Sequence, residues 1–144
     1  MSAIITDAAK ADIMREVLRE PCTLRLYVNE VGSNPTSGDF VEPEGGGYAP
    51  KAVRADQWDT ANAPILATYP LQLWHFARQG TERMDLTVRG YFLTRNSDGR
   101  LRWFDPLPGG PMRIVNDGDQ LKVAMAISFA AQEVAAFAAQ EVAA

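Results

Sequence analysis

The feature that most restricts the fold of this chain is an alternation of larger apolar residues with polar or small residues in three separate stretches. The first stretch places Cys22, Leu24 and Leu26 on one face of a strand. The second and third, residues 84–94 and 121–129, have the same period of two. Because successive side chains of a β-strand point to opposite faces, this period predicts half-buried strands.

Weaker strand patterns and turn sequences lie between these stretches. Residues 96–99 and 116–119 are rich in Asn, Asp and Gly, and each predicts a hairpin turn. Short strands joined by turns without intervening helices predict a mainly β chain with an antiparallel sandwich or barrel. Of these we expect a single antiparallel β-sandwich or jelly-roll-like domain. The weaker predicted strands are residues 48–54, 67–77, 100–105 and 112–115.

The chain before the first strand predicts one helix over residues 7–20. Thr6 or Asp7 can cap its first turn, and Pro21 stops it. An apolar stripe of Ile13, Val17 and Leu18 is expected to face the protein. The predicted organisation is a helical arm over residues 1–21, a β-sandwich domain over 22–128 and a tail over 129–144.

The tail is an eight-residue sequence, Phe-Ala-Ala-Gln-Glu-Val-Ala-Ala, written twice. Its alanine content favours helix, but its apolar residues follow neither the helical period nor the strand period. The composition is typical of a disordered segment, and contact with neighbouring subunits is the alternative that stays open.

A second irregular segment, residues 32–47, carries two prolines and three consecutive glycines. It predicts a long loop that lies against the body of the protein through Phe40 and Val41. The triple glycine is followed by a strand and not by a helix with Lys and Ser or Thr. It therefore indicates a hinge or a close backbone approach, and not a phosphate-binding loop.

Charge and hydropathy exclude several classes of function. The net charge is −4 with no basic run, which disfavours nucleic acid as a partner. No apolar run is long enough for a membrane span, and the first residues do not resemble a secretory signal. The single cysteine, Cys22, cannot form an internal disulfide and is expected in the core.

The residues that catalysis or metal binding would need are sparse. His75 is the only histidine, and it falls within a predicted strand. One Cys and one His cannot supply the usual four zinc ligands. The 18 acidic residues offer many carboxylate pairs, but no pair stands out. We therefore predict no enzyme activity, no catalytic residues, no cofactor and no metal site.

A series of short motifs follows the opening helix in a defined order along the chain. The motifs are Leu24-Arg25-Leu26-Tyr27-Val28-Asn29, Gly46-Gly47-Tyr48-Ala49-Pro50-Lys51, Trp58, Ala67-Thr68-Tyr69-Pro70, Val88-Arg89-Gly90-Tyr91-Phe92-Leu93-Thr94, Leu101-Arg102-Trp103-Phe104 and Ile114-Val115-Asn116-Asp117-Gly118-Asp119. This order of motifs resembles a family of small bacteriophage virion structural proteins. The resemblance covers roughly residues 5–129 and includes neither the repeated tail nor the full length of the 32–47 loop. It implies a capsid decoration or cement protein with a β-sandwich fold, and it brings no active-site residues.

The resemblance implies a protein made in the host cytoplasm and bound to the outer surface of the capsid. The expected partners are the major capsid protein and further copies of this chain, with a trimer as the expected oligomer. The alternative is a tail or baseplate module that binds a host glycan through exposed tryptophans. The candidate interface residues are Phe40, Val41, Tyr48, Trp74, His75, Phe129, Val134, Phe137 and Val142.

Overall fold

The computed structural model of this chain describes residues 4–63, 66–81 and 83–128, and it is mainly β. One helix near the N-terminus precedes a series of short strands, and all the strand pairs are antiparallel. The predicted mainly β class with an N-terminal helix is confirmed. The elements are α1 (Asp7–Leu18), β1 (Cys22–Tyr27), β2 (Lys51–Val53), β3 (Asp59–Asn62), β4 (Leu66–Thr68), β5 (Gln72–His75), β6 (Leu86–Val88), β7 (Gly90–Arg95), β8 (Leu101–Pro106), β9 (Met112–Ile114), β10 (Gln120–Val123) and β11 (Ala126–Ile127).

Helix α1 begins and ends close to the predicted positions, but its buried face is different. Thr6 is the N-cap, and its hydroxyl oxygen accepts the backbone N–H of Ala9 at 3.2 Å. The buried side chains are Ala11, Met14 and Leu18, whereas Ile13 is 43% exposed. The prediction for Ile13 was wrong because each residue turns the helix by about 100°, so a face that contains Met14 directs its neighbour away.

The chain groups into two compact units. Unit 1 comprises residues 1–20, 55–71 and 124–144, and unit 2 comprises residues 21–54 and 72–123. The structure describes each unit over the ranges given above, so the tail beyond Ser128 lies outside the described residues.

The largest sheet belongs to unit 2 and has the strand order β2-β1-β7-β8. Its register aligns Leu24 of β1 with Leu93 of β7, and the side chains of both are fully buried on one face. The opposite face carries Tyr27 and Phe92, which are also buried. The central strands of this sheet are therefore covered on both faces.

Two smaller sheets complete the β-structure of unit 2. In the β5–β10 pair, Trp74 lies opposite Leu121 and both are buried, while His75 lies opposite Gln120 and both are exposed. In the β6–β9 pair, Val88 and Ile114 are buried on one face, while Arg113 on the other face is exposed. Each pair thus has one inward and one solvent face, as the period of two predicts.

The sheet of unit 1 has the strand order β11-β4-β3. Ala67 of β4 is fully buried, and Tyr69 just after this strand is buried against Trp58, with ring centroids 5.0 Å apart. The β3–β4 register shifts between Asp59 and Asn62, so β3 is an irregular edge strand.

Three of the predicted strands were too long, because each is divided into two strands of different sheets. Residues 84–94 break at Arg89 into β6 and β7. The Arg89 N–H donates to the carbonyl of Tyr27, and its carbonyl accepts the N–H of Leu107, so the backbone changes partners there. Residues 67–77 break into β4 and β5, and the described part of the third stretch, residues 121–128, breaks into β10 and β11. The side chains of an extended chain alternate between two faces even where the neighbouring strand changes, so the alternating sequence does not reveal where one strand ends and the next begins.

The two predicted hairpin turns had different outcomes. Residues 96–99 join β7 to β8, which pair directly, so this hairpin is confirmed. Residues 116–119 join β9 to β10, which belong to different sheets, so the second hairpin prediction was wrong. A turn sequence specifies a local reversal of the chain but not which strand will be its neighbour.

Candidate interaction surface

Exposed large apolar side chains are concentrated in unit 1. Ile4 is 93% exposed, Ile5 is 52% exposed and Leu71 is 57% exposed. Single exposed apolar residues are ordinary on protein surfaces, and several of them in one small unit make that unit the candidate for binding a partner. In the described part of the chain, five of six such residues belong to unit 1: Ile4, Ile5, Ile13, Leu66 and Leu71, with Val41 in unit 2.

The formal charge of the chain is also unevenly divided between the units. Unit 1 has three basic and eight acidic residues, a net charge of −5, whereas unit 2 has 11 basic and 10 acidic residues, a net charge of +1. The charge of the whole chain therefore comes from the unit that carries the exposed apolar residues. Two of the eight acidic residues, Glu133 and Glu141, lie outside the described residues, and the acidic excess that remains in unit 1 would attract a basic partner at long range.

Charged side chains of α1 form three ion pairs at i,i+3 spacing. The Nζ of Lys10 lies 4.0 Å from Asp7. A guanidinium nitrogen of Arg15 lies 3.8 Å from Asp12, and the third pair, Arg19 with Glu16, has a separation of 3.3 Å. Pairs of this kind contribute about 0.2–0.5 kcal/mol each to helix stability, so their main effect is to support the short helix that exposes Ile13.

The long loop between β1 and β2 is held at its base by Asn29. The Asn29 side-chain amide donates to the carbonyl of Asp39, and its carbonyl oxygen accepts the N–H of Val41, both at 2.8 Å. The backbone N–H of Val28 donates to the carbonyl of Val41 at 2.9 Å. The Asn29 side chain thus makes hydrogen bonds of the kind that a neighbouring strand would make, and it attaches residues 39–41 in the middle of the loop to the end of β1.

Phe40 packs this loop onto the largest sheet. Its ring stacks on Phe92 with a centroid separation of 4.3 Å, and it meets Tyr27 and Phe104 edge-on at 5.0 and 5.5 Å. Only 9% of Phe40 is exposed. The prediction that the loop lies against the body is confirmed for Phe40, whereas the neighbouring Val41 directs its side chain outward and is 53% exposed.

A polar cluster fixes the same loop beside the aromatic rings. Glu42 accepts hydrogen bonds from the Arg25 guanidinium at 3.2–3.3 Å and from the Tyr48 hydroxyl at 2.7 Å. The Tyr48 oxygen in turn accepts the backbone N–H of Leu26 at 3.0 Å. Burial, followed by the bond to Glu42, raises the pKa of Tyr48 well above its ordinary value. The fold therefore favours the neutral phenol.

Replacing Tyr48 with phenylalanine is expected to lower the free energy of unfolding by about 1–2 kcal/mol at neutral pH, because the Leu26 N–H and Glu42 lose a partner. The raised pKa makes this difference depend on pH. The contribution of the hydroxyl is complete below the pKa of about 10 in the unfolded chain and declines as pH rises above it, where only the unfolded chain ionises.

Urea unfolding of the parent and Tyr48→Phe proteins at neutral and alkaline pH measures this difference. We expect the gap between the two proteins to narrow as pH increases. A gap that stays constant into the alkaline range would show that the Tyr48 phenol titrates normally in the fold.

The predicted interface residues occupy different environments. Phe40 and Trp74 are buried within unit 2, and Tyr48 is half-buried in the Glu42 cluster. Val41 and His75 are exposed. The remaining four candidates, Phe129, Val134, Phe137 and Val142, lie outside the described residues. The exposed residues of unit 1 were not selected from the sequence, although the apolar pair Ile4-Ile5 directly before the helix cap was a visible signal.

The three tryptophans do not form an exposed platform in the described structure. Trp58 packs edge-on against Tyr69 in unit 1. Trp74 donates its indole N–H to the carbonyl of Ala49 at 2.9 Å, and the Nζ of Lys51 lies 5.3 Å from its ring centroid. Trp103 of β8 is half-buried. Trp58 and Trp74 therefore act as core side chains.

A small cleft of about 100 Å³ lies in unit 2 beside the triple glycine. Gly46 has φ +64° and is buried, and an added Cβ would come within 3.0 Å of the sulfur of Met84. This confirms the predicted close backbone approach. The Asp85 carboxylate in the cleft wall is engaged by the Arg113 guanidinium through two contacts of 3.0 Å. The cleft is lined by Glu44, Gly45, Gly46, Gln79, Arg83, Met84, Asp85 and Leu86.

Across residues 4–63, 66–81 and 83–128, no group of three or more His, Cys, Asp or Glu side chains is arranged to hold a metal ion. The same residues contain no helix with the length and hydropathy needed to cross a membrane. Cys22 is buried at the start of β1, as predicted.

The candidate is therefore unit 1, which combines an excess of acidic residues with most of the exposed isoleucines and leucines of the described residues. Comparisons with known proteins assign no relative to it: no protein-family model, no curated protein and no solved structure matches this chain.

Proposed function

We propose that this chain is a bacteriophage capsid decoration or cement protein that stabilises the head lattice by binding neighbouring capsid subunits. The observation that supports this most is the concentration of exposed apolar side chains in unit 1, including Ile4, Ile5 and Ile13. Binding that removes exposed apolar side chains from water lowers the free energy of the complex. The net charge of −5 in this unit favours a partner with a basic contact surface.

The fold proposed for this role is a β-sandwich or jelly-roll-like domain. Its support is the alternating burial in the sheets of unit 2, where each of the two-stranded sheets has one buried face. The 28–50 loop, fastened by Phe40 and Glu42, adds rigidity to the largest sheet. A rigid body suits a protein that must match a fixed lattice.

The proposed partners are the major capsid protein and other copies of this chain. We propose a trimer, made in the host cytoplasm and attached to the capsid exterior, with the helical arm and the repeated tail reaching its neighbours. Mass measurement in solution tests the trimer. A monomer at micromolar concentration that still binds capsids would contradict it.

Copy number in purified particles tests the proposed function. A decoration protein should be present on the order of hundreds of copies per particle, because a capsid repeats each site by symmetry. Quantitative mass spectrometry against the major capsid protein gives this ratio. A handful of copies would instead support the alternative tail or baseplate module, which gains no support from the tryptophans because two of them are buried.

The helix provides a matched pair of variants for the binding surface. Ile13→Ser is expected to weaken binding to particles that lack the protein by about tenfold, as expected when an apolar contact is lost from an interface. Arg15→Ser introduces the same residue at another exposed position of α1 and lowers helix propensity at least as much as Ile13→Ser does, yet it is expected to bind nearly as well as the parent. Sedimentation of the variants with particles measures both. Equal binding by the two variants would show that Ile13 does not belong to the interface.

A further inference from the structure

Two Asp-Gly dipeptides lie in turns of unit 2, Asp98-Gly99 and Asp117-Gly118. Both glycines have a left-handed backbone, with φ of +70° and +91°, and nothing lies within 4 Å of the position that a Cβ would occupy. Because glycine has no side chain to shield its nitrogen, that nitrogen can reach the side-chain carbonyl carbon of the preceding aspartate. The two turns therefore share the local requirements for the same rearrangement.

The carboxylate of Asp98 is restrained on both oxygens. One oxygen accepts the Nε–H of Arg95 and the backbone N–H of Arg100, both at 3.0 Å. The other oxygen accepts a second guanidinium N–H of Arg95. These hydrogen bonds lower the pKa of Asp98 to about 2. An ionised carboxylate held by three donors is a poor electrophile and cannot easily turn towards its neighbour.

The carboxylate of Asp117 is held less firmly. Its Oδ1 accepts the backbone N–H of Arg78 at 2.9 Å. The glycine amides do not distinguish the two turns, since Gly118 donates to the carbonyl of Phe76 at 2.8 Å and Gly99 donates to that of Arg95 at 2.7 Å. The difference between the turns therefore lies in the restraint on the carboxylates.

We propose that Asp117 is a site of spontaneous covalent modification, at which the chain converts to isoaspartate, and that the Arg95 ion pair protects Asp98. The nitrogen of Gly118 forms a bond to Cγ of Asp117. Its proton and the hydroxyl group of the carboxylic acid leave together as water, which produces a succinimide. Water then adds to the main-chain carbonyl carbon of Asp117 and breaks its bond to the nitrogen. The main chain now runs through Cγ, without oxidation, reduction or change of mass.

This change would alter the turn between β9 and β10. The isoaspartyl linkage adds one methylene to the main chain, next to Asp119, whose carbonyl accepts the N–H of Phe76 at 2.8 Å. The turn is attached to residues 76–78 through this bond and the bonds of Gly118 and Asp117. A longer main chain cannot keep all three, so modification should loosen the connection. This inference does not depend on the proposed capsid function.

Ageing of the folded protein in mildly acidic buffer, followed by trypsin digestion, tests the proposal. The two aspartates fall in separate peptides, residues 96–100 and 114–122. Electron-based fragmentation distinguishes isoaspartate from aspartate in each peptide. We expect isoaspartate at position 117 to accumulate several-fold faster than at position 98. Equal rates, or a faster rate at position 98, would overturn the proposal.

Three controls separate the effect of the fold from the effect of sequence. In urea both dipeptides should react at similar rates, and a large difference there would assign the selectivity to local sequence. Arg95→Met should bring the rate at Asp98 towards that at Asp117 in protein shown by circular dichroism to be folded. Asp117→Glu keeps the charge but disfavours the five-membered ring, so the isoaspartate signal in peptide 114–122 should disappear. A persisting signal would place the modification elsewhere in that peptide.

Discussion

Gly90→Ala is expected to lower the free energy of unfolding by about 3 kcal/mol, the upper part of the range for overpacked sites. Gly90 begins β7, where it pairs with Tyr27 of β1 and Pro106 of β8. A Cβ at this position would overlap the backbone oxygen of Asp105 and lie 2.6 Å from the Tyr27 hydroxyl oxygen. The obstacle is backbone in a paired strand, so a side-chain rotation cannot remove it.

Replacing glycine with alanine also has a stabilising effect, but that effect is too small to reverse the expected decrease in the free energy of unfolding. Removing a glycine restricts the unfolded chain and stabilises a protein by about 0.4–1 kcal/mol where the native backbone tolerates alanine. Gly32→Ala is the matched control, since nothing lies within 4 Å of its added Cβ and its φ is not in the left-handed region. Urea unfolding should show a large loss for Gly90→Ala and no loss for Gly32→Ala. Equal stabilities of the two variants would contradict the close approach at Gly90.

Much of the fold was predictable because it depends on nearest neighbours. The alternation of Leu24 and Leu26 specifies a strand with a buried face, and Thr6 and Pro21 mark the limits of a helix through local hydrogen bonding and sterics. The division of residues 84–94 at Arg89 could not be predicted. It depends on hydrogen bonds to Tyr27 and Leu107, and their distance in sequence leaves no local pattern.

The same limit applies to the side chains that hold the long loop. Phe40 and Val41 were both predicted to lie against the body of the protein, and only the packing shows that Phe40 does so while Val41 does not. The contact between Arg25 and Glu42 joins strand and loop, and nothing about either residue alone indicates the other. On α1, choosing Met14 over Ile13 would have required knowledge of which side of the helix is buried. On composition alone the branched Ile13 was the better candidate for the buried face. The packing instead buries the flexible side chain of Met14.

Phe40→Ala is expected to lower the free energy of unfolding by about 3 kcal/mol. Truncation of a buried phenylalanine typically costs about 3–5 kcal/mol, and the lower value applies because a loop can partly collapse into the space. The change removes the stack on Phe92 and the edge contacts with Tyr27 and Phe104. The hydrogen bond between Arg25 and Glu42 remains. The loop should therefore become more mobile around position 40 while it stays attached to β1 through Glu42.

Val41→Ala is the natural control for this change, because Val41 is adjacent in sequence but 53% exposed, and its truncation should change stability by less than about 0.5 kcal/mol. Hydrogen exchange provides the local readout. The amide of Val41 donates to Asn29, so it should exchange faster in Phe40→Ala than in the parent, while amides in the β1–β7 ladder stay protected. If Phe40→Ala fails to fold, Phe40→Leu gives a smaller loss in the same direction. Unchanged stability and unchanged Val41 exchange would mean that Phe40 does not hold the loop on the sheet, and that its 4.3 Å stack on Phe92 contributes little.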